Sequence, residues 1–267
     1  MSKILFIGDV VGKPGRKILS QVLPMWKEKY KPDVTIVNVE NLAHGKGVTI
    51  STMEQISNLG IDVYTSGNHV FDKHELAKDV FEKYPNIIRP ANYTGSWPGY
   101  GYYRFAKEEQ QYLVLNLNAT VFMEKQFETP IDNAFLAADR LLLDQAQKGD
   151  IIFVDFHSEA TSEKIAFGYY LDGRVTAVVG THTHVPTADA RVLAKGTAHI
   201  SDVGMTGARN GVLGVIAQNA INKFVDPTLK FKNEVEEDGV LQINGVLVEV
   251  AENGKAVRIE KLYQEIS

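Results

Sequence analysis

Short apolar runs alternate with stretches of helical spacing through the first half of the chain. Residues 3–8 (KILFIG) are a run of the first kind. Residues 14–30 have helical spacing, with Pro24 a candidate kink. The same pattern predicts strands at 33–39 and 61–67, a short helix over 52–60 ending at Gly60, and another helix within 72–84. Strands at this spacing, separated by helices, predict right-handed βαβ units on a parallel core. Residues 100–106 and 111–117 flank a charged turn and predict a hairpin. Leucines and alanines of residues 133–148 fall on one stripe, which predicts the clearest helix. Buried strands are predicted at 150–156 and 174–180, with a helix between them. Beyond residue 190 the pattern predicts short strands, a glycine-rich segment at 202–211 and a helix near 214–224. An acidic exposed loop at 232–238 follows, and an Asn-Gly turn within 252–255 joins the last two strands. No repeat, low-complexity tract or linker interrupts the pattern. The expectation is an α/β fold in a single domain over residues 1–267: a two-layer sandwich of mixed parallel and antiparallel strands, with helices outside.

A chain of 267 residues buries enough surface to fold without a staple. It has no cysteine, which removes disulfides, zinc–thiolate sites, iron–sulfur clusters and cysteine nucleophiles. This composition fits a cytoplasmic setting. The first apolar run is interrupted by Asp9 and is too short for a signal-peptide core. No run approaches the ~20 apolar residues of a membrane span, so no membrane association is expected. A net charge of −5 argues against a long nucleic acid as partner. It does not argue against a small phosphorylated one, because bound metal reverses a local field.

The polar residues that follow the strands carry the chemistry. Asp9 follows the first, Glu40 and Asn41 the second, and Asn68 and His69 the third. His157 follows the strand at 150–156, and His182 and His184 follow the strand at 174–180. Ligands of parallel sheets sit outside the carboxyl ends of the strands. Each residue alone has a plainer reading as a turn former, a cap or a satisfied core histidine. Together they place acids, amides and imidazoles along one rim, where burial is costly unless they are paired or bind a cation. The donors are all oxygen and nitrogen, a set that suits manganese, iron or zinc. Glu40, with two oxygens, could bridge two ions. Asp155 and Asp202 are candidates to orient ligands. His44 lies in a glycine loop beside Glu40, where substrate contact and no contact are equally open. His74 is expected at the surface and His199 in a structural role; Lys13, Arg16 and Lys46 lie near the rim, where they could meet phosphate, but solvation is their usual fate.

These residues, in this order, resemble the motifs of the calcineurin-like metallophosphoesterases. That superfamily typically opens with Asp-x-His and bridges its metals with an aspartate; here the chain has Asp9-Val10-Val11 and Glu40. Both departures, and the runs ILFIGDVVGKPGR, ENLAHGKG, DFHSEATSEK, VVGTHTHVPTAD and DVGMTG, resemble the bacterial YmdB-like subfamily over nearly the whole chain. The resemblance implies the calcineurin-like architecture and a site of two metal ions, iron or manganese first and zinc as an alternative. Asp9, Glu40, Asn41 and His184 would hold one ion. Glu40, Asn68, His157 and His182 would hold the other. His69 would bind no metal and would sit beside the phosphoryl group as a proton donor or charge stabiliser. The implied activity is hydrolysis of small phosphodiesters such as 2′,3′-cyclic or 3′,5′-cyclic nucleotides, by a homo-oligomer. Other functions share these residues: a regulatory protein that binds metal and nucleotide with little turnover, and a phosphomonoesterase or nuclease on the same centre.

Overall fold

The computed structural model describes residues 1–123, 130–228 and 232–267, and all their side chains except those of residues 74–77. The expected surface position of the His74 side chain therefore lies outside the described residues. Among the described residues, twelve strands form two mixed sheets. In the first, β1 (Ser2–Ile7), β2 (Val34–Asn38) and β3 (Val63–Thr65) run parallel. On the other side of β1 lies antiparallel β11 (Leu241–Val250), which also pairs with β12 (Ala256–Ile266) and β10 (Gly207–Ala208). In the second, β5 (Gln110–Asn118), β6 (Ile151–His157), β7 (Ala177–Thr181) and β9 (Ala198–Ile200) are parallel. Antiparallel β4 (Tyr102–Lys107) and β8 (Arg191–Val192) close its edges.

The inner strands β1, β2, β5, β6 and β7 are buried on both faces over most of their length, which is why their sequences read as apolar runs. Their alternate residues go to different cores. Ile4, Phe6, Ile36, Val114, Phe153 and Val179 fill the space between the sheets. There Phe6 stacks on Phe153 with ring centroids 5.4 Å apart. Leu5, Ile7 and Val37 face outward onto α1 (Gly12–Tyr30), which buries Ile18, Leu19, Val22, Leu23 and Trp26 against them. Leu113, Leu115, Val154 and Phe156 face outward onto α4 (Ala134–Gln145) and α5 (Thr161–Tyr170). The result is the expected sandwich with helices on both outer faces.

Some boundaries differ from the sequence expectation, each for a local reason. α1 begins at Gly12 and runs as one helix across Pro24. The helix expected at 52–60 is α2 (Ile50–Glu54) followed by a separate 3₁₀ turn over Ser57–Leu59. Thr49 and Thr52 exchange side-chain and backbone hydrogen bonds and start the helix early. α3 spans His74–Lys83. α4 starts where the Asn133 side chain accepts from the backbone N–H groups of Phe135 and Leu136. α6 is Ala217–Val225, not 214–224, because residues 212–215 form a tight turn.

Candidate metal centre

Strand ends from both sheets converge at one seam. Asp9 lies just beyond β1, where its carbonyl accepts from Thr206 N at 2.8 Å and Val10 N donates to Asn38 O at 3.0 Å. Glu40 and Asn41 follow β2. Glu40 N donates to Asn38 Oδ1 at 3.1 Å, and Asn41 Nδ2 donates to Gly45 O at 2.9 Å, which turns its carbonyl oxygen inward. Asn68 and His69 follow β3. His157 ends β6, and His182 and His184 follow β7. Asp9, Glu40, Asn41, Asn68 and His157 are buried, each no more than 4% exposed.

The donors form two groups that share one residue. Ligand atoms of Glu40, His157 and His182 lie within 4.8 Å of one another, as do those of Asp9, Glu40 and His184. The amide oxygens sit with the same groups: Asn68 Oδ1 is 3.0 Å from His157 Nε2, and Asn41 Oδ1 is 3.3 Å from His184 Nε2.

The residues present fit cations. His157 Nε2 lies 3.1 Å from Glu40 Oε2, 3.0 Å from Asn68 Oδ1 and 3.0 Å from His182 Nδ1. One nitrogen carries at most one proton and cannot serve three partners; a cation among them serves all four. Asp9 Oδ1 is buried with no hydrogen-bond partner, although Oδ2 accepts from His182 N at 3.1 Å. An orphaned, buried carboxylate oxygen facing other donors is what a missing cation leaves behind.

Hydrogen bonds behind the site set the histidine tautomers. Thr181 Oγ1 donates to Asp155 Oδ1 at 2.7 Å, so it accepts from His157 Nδ1 at 2.9 Å, and His157 Nε2 faces the donors. Asp155 is held in turn by Asn38 Nδ2 at 2.9 Å and Thr65 Oγ1 at 2.5 Å. His184 Nδ1 donates to Leu213 O at 3.1 Å, which leaves Nε2 without a proton and facing Asn41 Oδ1. His182 has the reverse arrangement. Its Nε2 lies 3.2 Å from a Glu159 carboxylate oxygen, and Nδ1 faces the site. Such outer partners orient ligands and raise their basicity. Asp202 anchors the loop itself, accepting from Thr183 N at 3.0 Å and Thr183 Oγ1 at 2.8 Å. A buried lysine, Lys164, donates to Asp202 Oδ2 at 2.6 Å and to Thr181 O at 2.9 Å. The loop is strained: His182 and His184 have φ of +97° and +65°. Each such residue costs about 1–3 kcal/mol, which the surrounding bonds must offset.

The electrostatics follow from this crowding. Burial pushes the Glu40 carboxyl up, but the charge and hydrogen bond of His157 outweigh it and hold the group below the usual range. Burial lowers His157, yet Glu40, Asp9 and Asp155 push it up to about 9. Asp9 is raised well above a normal aspartate, chiefly by burial and further by Glu40, Asp202 and Asp155. Burial holds His182 and His184 below the ordinary histidine range. One histidine therefore carries a proton among the acids while its neighbours are neutral.

His69 does not join either group. Its Nδ1 lies 2.9 Å from Asp72 Oδ2, and its backbone N–H donates to Glu40 Oε2 at 3.3 Å. The ring lines a cleft of about 450 Å³ that opens onto Glu40, Asn41, His182 and His184. Exposed His44 and Lys46 also line it. His199 is buried beside Gly168, a structural position. Lys13 is solvent-exposed and pairs with Glu237. Arg16 corrects the expectation of solvation: it is 8% exposed, and its guanidinium donates to Leu42 O and Gln55 Oε1. It fastens the loop that carries Glu40 and Asn41. Sequence reasoning missed Asp72, Glu159, Lys164 and Thr181. Only the spacing of Asp72 three residues after His69 was a usable signal.

Two mixed sheets with helices on both faces, and a buried nitrogen–oxygen donor cluster at their carboxyl ends, define a metal-dependent phosphoester hydrolase. A family model described as YmdB-like protein matches residues 5–262. The chain belongs to the YmdB-like family. It is 45% identical over 261 residues to the 2′,3′-cyclic-nucleotide 2′-phosphodiesterase of Bacillus subtilis, covering 97% of this chain and 96% of that one. The crystal structure of a novel phosphatase from Mycoplasma pneumoniae superposes with a TM-score of 0.90 at 34% identity, over 99% of this chain and 93% of that one. A 5′-nucleotidase precursor from Thermus thermophilus has a TM-score of 0.58 at 10% identity, over 98% of this chain and 54% of that one, a likeness of fold alone.

Proposed function

We propose that this chain, acting as one catalytic unit, hydrolyses small cyclic phosphodiesters, with nucleoside 2′,3′-cyclic phosphates first and 3′,5′-cyclic species second. The observation that carries this reading is Glu40, whose carboxylate belongs to both donor groups. Asp9, Glu40, Asn41 and His184 would hold one cation, and Glu40, Asn68, His157 and His182 the other. Such a pair would supply Lewis acidity to the phosphoryl oxygens and lower the pKa of a water. The protein does the rest. Asp155, through Thr181, keeps His157 Nε2 directed at the site. Asp72 accepts from His69 Nδ1, so in the imidazolium form it is Nε2–H that gives its proton to the departing ribose alkoxide, leaving a neutral ring protonated at Nδ1. The B. subtilis relative supports the substrate class. Iron or manganese as the cations, a homo-oligomer and a cytoplasmic setting complete the proposal, on the strength of the family resemblance.

The test joins elemental analysis of freshly purified protein to hydrolysis of a panel of cyclic nucleotides and simple esters. Two ions per chain and turnover of a cyclic nucleotide are expected. Glu40→Ala should lose both ions together. Retention of two ions by that variant would refute the bridging role. Ligand binding without product formation would favour the regulatory reading, and faster turnover of monoesters would favour the phosphomonoesterase.

A further inference from the structure

The cleft above the donor groups has one wall whose apolar side chains serve no core. Val212 and Val215 exchange backbone hydrogen bonds of 2.9 and 3.0 Å around Leu213 and Gly214, a two-residue turn with φ of +52° and +86°. Both central residues with positive φ is the geometry that Asn-Gly ordinarily supplies. A leucine there is strained. The strain has a consequence for the site: Leu213 O accepts from His184 Nδ1, so the turn is fastened to the donors, and the Leu213 side chain is left 50% exposed in the cleft. Beside it α6 presents Lys223 and Phe224 to the same cleft, and Phe224 is 81% exposed. A strained leucine and a bare phenylalanine next to a site for anionic esters pair a flat apolar surface with a cation.

Resting on the phosphodiesterase reading of the same site, we infer that Leu213 and Phe224 form the subsite for the nucleobase and that Lys223 faces the sugar–phosphate edge. An aromatic ring accepts any base by its π-face, so the subsite selects nucleotides over base-free esters without selecting one base. Leu213→Asn separates this role from a structural one, since asparagine adopts positive φ more readily than leucine and keeps the carbonyl that His184 uses.

The experiment uses manganese-loaded protein. The wild type is compared with Leu213→Asn, Phe224→Ala and Phe224→Trp. The first readout is kcat/KM for a nucleoside 2′,3′-cyclic phosphate relative to ethylene glycol cyclic phosphate. The second is calorimetric affinity for a nucleoside 3′-monophosphate relative to ribose 3-phosphate. Each of the first two variants should reduce both ratios about 10-fold, and Phe224→Trp should preserve them. Leu213→Asn should melt no lower than the wild type. Ratios unchanged in both variants overturn the subsite. So does a change in sedimentation mass in Phe224→Ala, which makes the face a subunit contact. A wild type that prefers the nucleoside monophosphate but hydrolyses no cyclic nucleotide upholds the subsite and sinks the proposed function. Hydrolysis of cyclic nucleotides with no preference over the glycol ester does the reverse.

Discussion

Gly67→Ala adds one methyl group at the floor of the donor cluster. The glycine has no positive φ, so alanine meets no backbone penalty there. Space is the difficulty. A Cβ at position 67 would lie within 2.5 Å of His157 Nε2 and Cδ2, and closer still to Glu40 Oε2. Ordinary contact begins at 3.4 Å, so the carboxylate and imidazole must each retreat by roughly an ångström. Neither has room: Glu40 is 1% exposed and His157 fully buried, with its Nδ1 tied to Thr181.

Overpacking of this kind costs about 1–3 kcal/mol of stability, which a large domain survives. The effect on the site is greater, because a misplacement of ~1 Å costs about 100-fold in rate. Gly67→Ala should therefore fold, lose metal from both groups and retain about 1% or less of wild-type activity. Elemental analysis, circular dichroism and kcat/KM on a cyclic nucleotide measure the three quantities. Gly149→Ala is the control: its Cβ meets nothing within 4 Å, and its φ of +93° imposes strain alone, remote from the donors. It should lose stability and keep its metals. A Gly67→Ala protein with full metal content and near-normal rate would show that the donors are not held at the distances described.

Three further outcomes are expected. Cation binding should release protons, because His157 is pushed up to about 9 by Glu40, Asp9 and Asp155, and a ligand imidazole nitrogen must be free of its proton. Below that pH the proton competes with the cation, so affinity rises with pH until about 9. Calorimetry at pH 7.5 in buffers of differing ionisation enthalpy measures this, and no proton release would contradict the assignment. His69→Ala should slow alkoxide-leaving substrates by about 100–10,000-fold with metals in place, and nitrophenyl esters far less. Equal losses on both substrates would remove His69 from the acid role. Lys164→Met leaves Asp202 buried without its cation and should cost about 3–5 kcal/mol in urea unfolding. A cost under about 1 kcal/mol would mean that the pair does not hold the loop.

The parts of the fold legible from sequence are those written in local periodicity. β2 lies within the run at 33–39, β6 follows the run at 150–156 one residue further to His157, and both strands are buried throughout. The donors were legible for a related reason: a charged or polar residue directly after a buried run, as at Asp9, Glu40 and His157, needs a partner in the folded state. The order of strands was not legible. Nothing in residues 241–250 says that β11 lies beside β1 across almost the whole length of the chain, because pairing of that range is decided by three-dimensional packing. The supports of the site were hidden for the same reason. Lys164 sits in an unremarkable helical stretch, and its role exists only because α5 carries it to Asp202, 38 residues away. Arg16 was expected in solvent because that is the usual fate of a charged side chain near the rim of a sheet. The contact that buries it, Leu42 O, belongs to the turn after another strand.

The way these supports are distributed explains why the centre has so many of them. Without a cation, the donors are mutually unfavourable: Asp9 is raised toward neutrality by burial and by the acids around it, and one Asp9 oxygen has no partner. Two histidines are held at positive φ with one ring nitrogen of each facing the donor cluster. Hydrophobic burial of β1, β6 and β7 fixes the strand ends but does not choose a tautomer or hold a loop. The Asp155–Thr181–His157 chain, the Leu213 carbonyl on His184 and the Lys164–Asp202 pair do that, each acting on a different histidine or on the loop between two of them. A site arranged before its cation arrives gains more of the binding energy as affinity, since little ordering is left to offset. A cation held there would also add to the stability of the protein, because it would bind the folded chain and relieve the charge conflict that folding created.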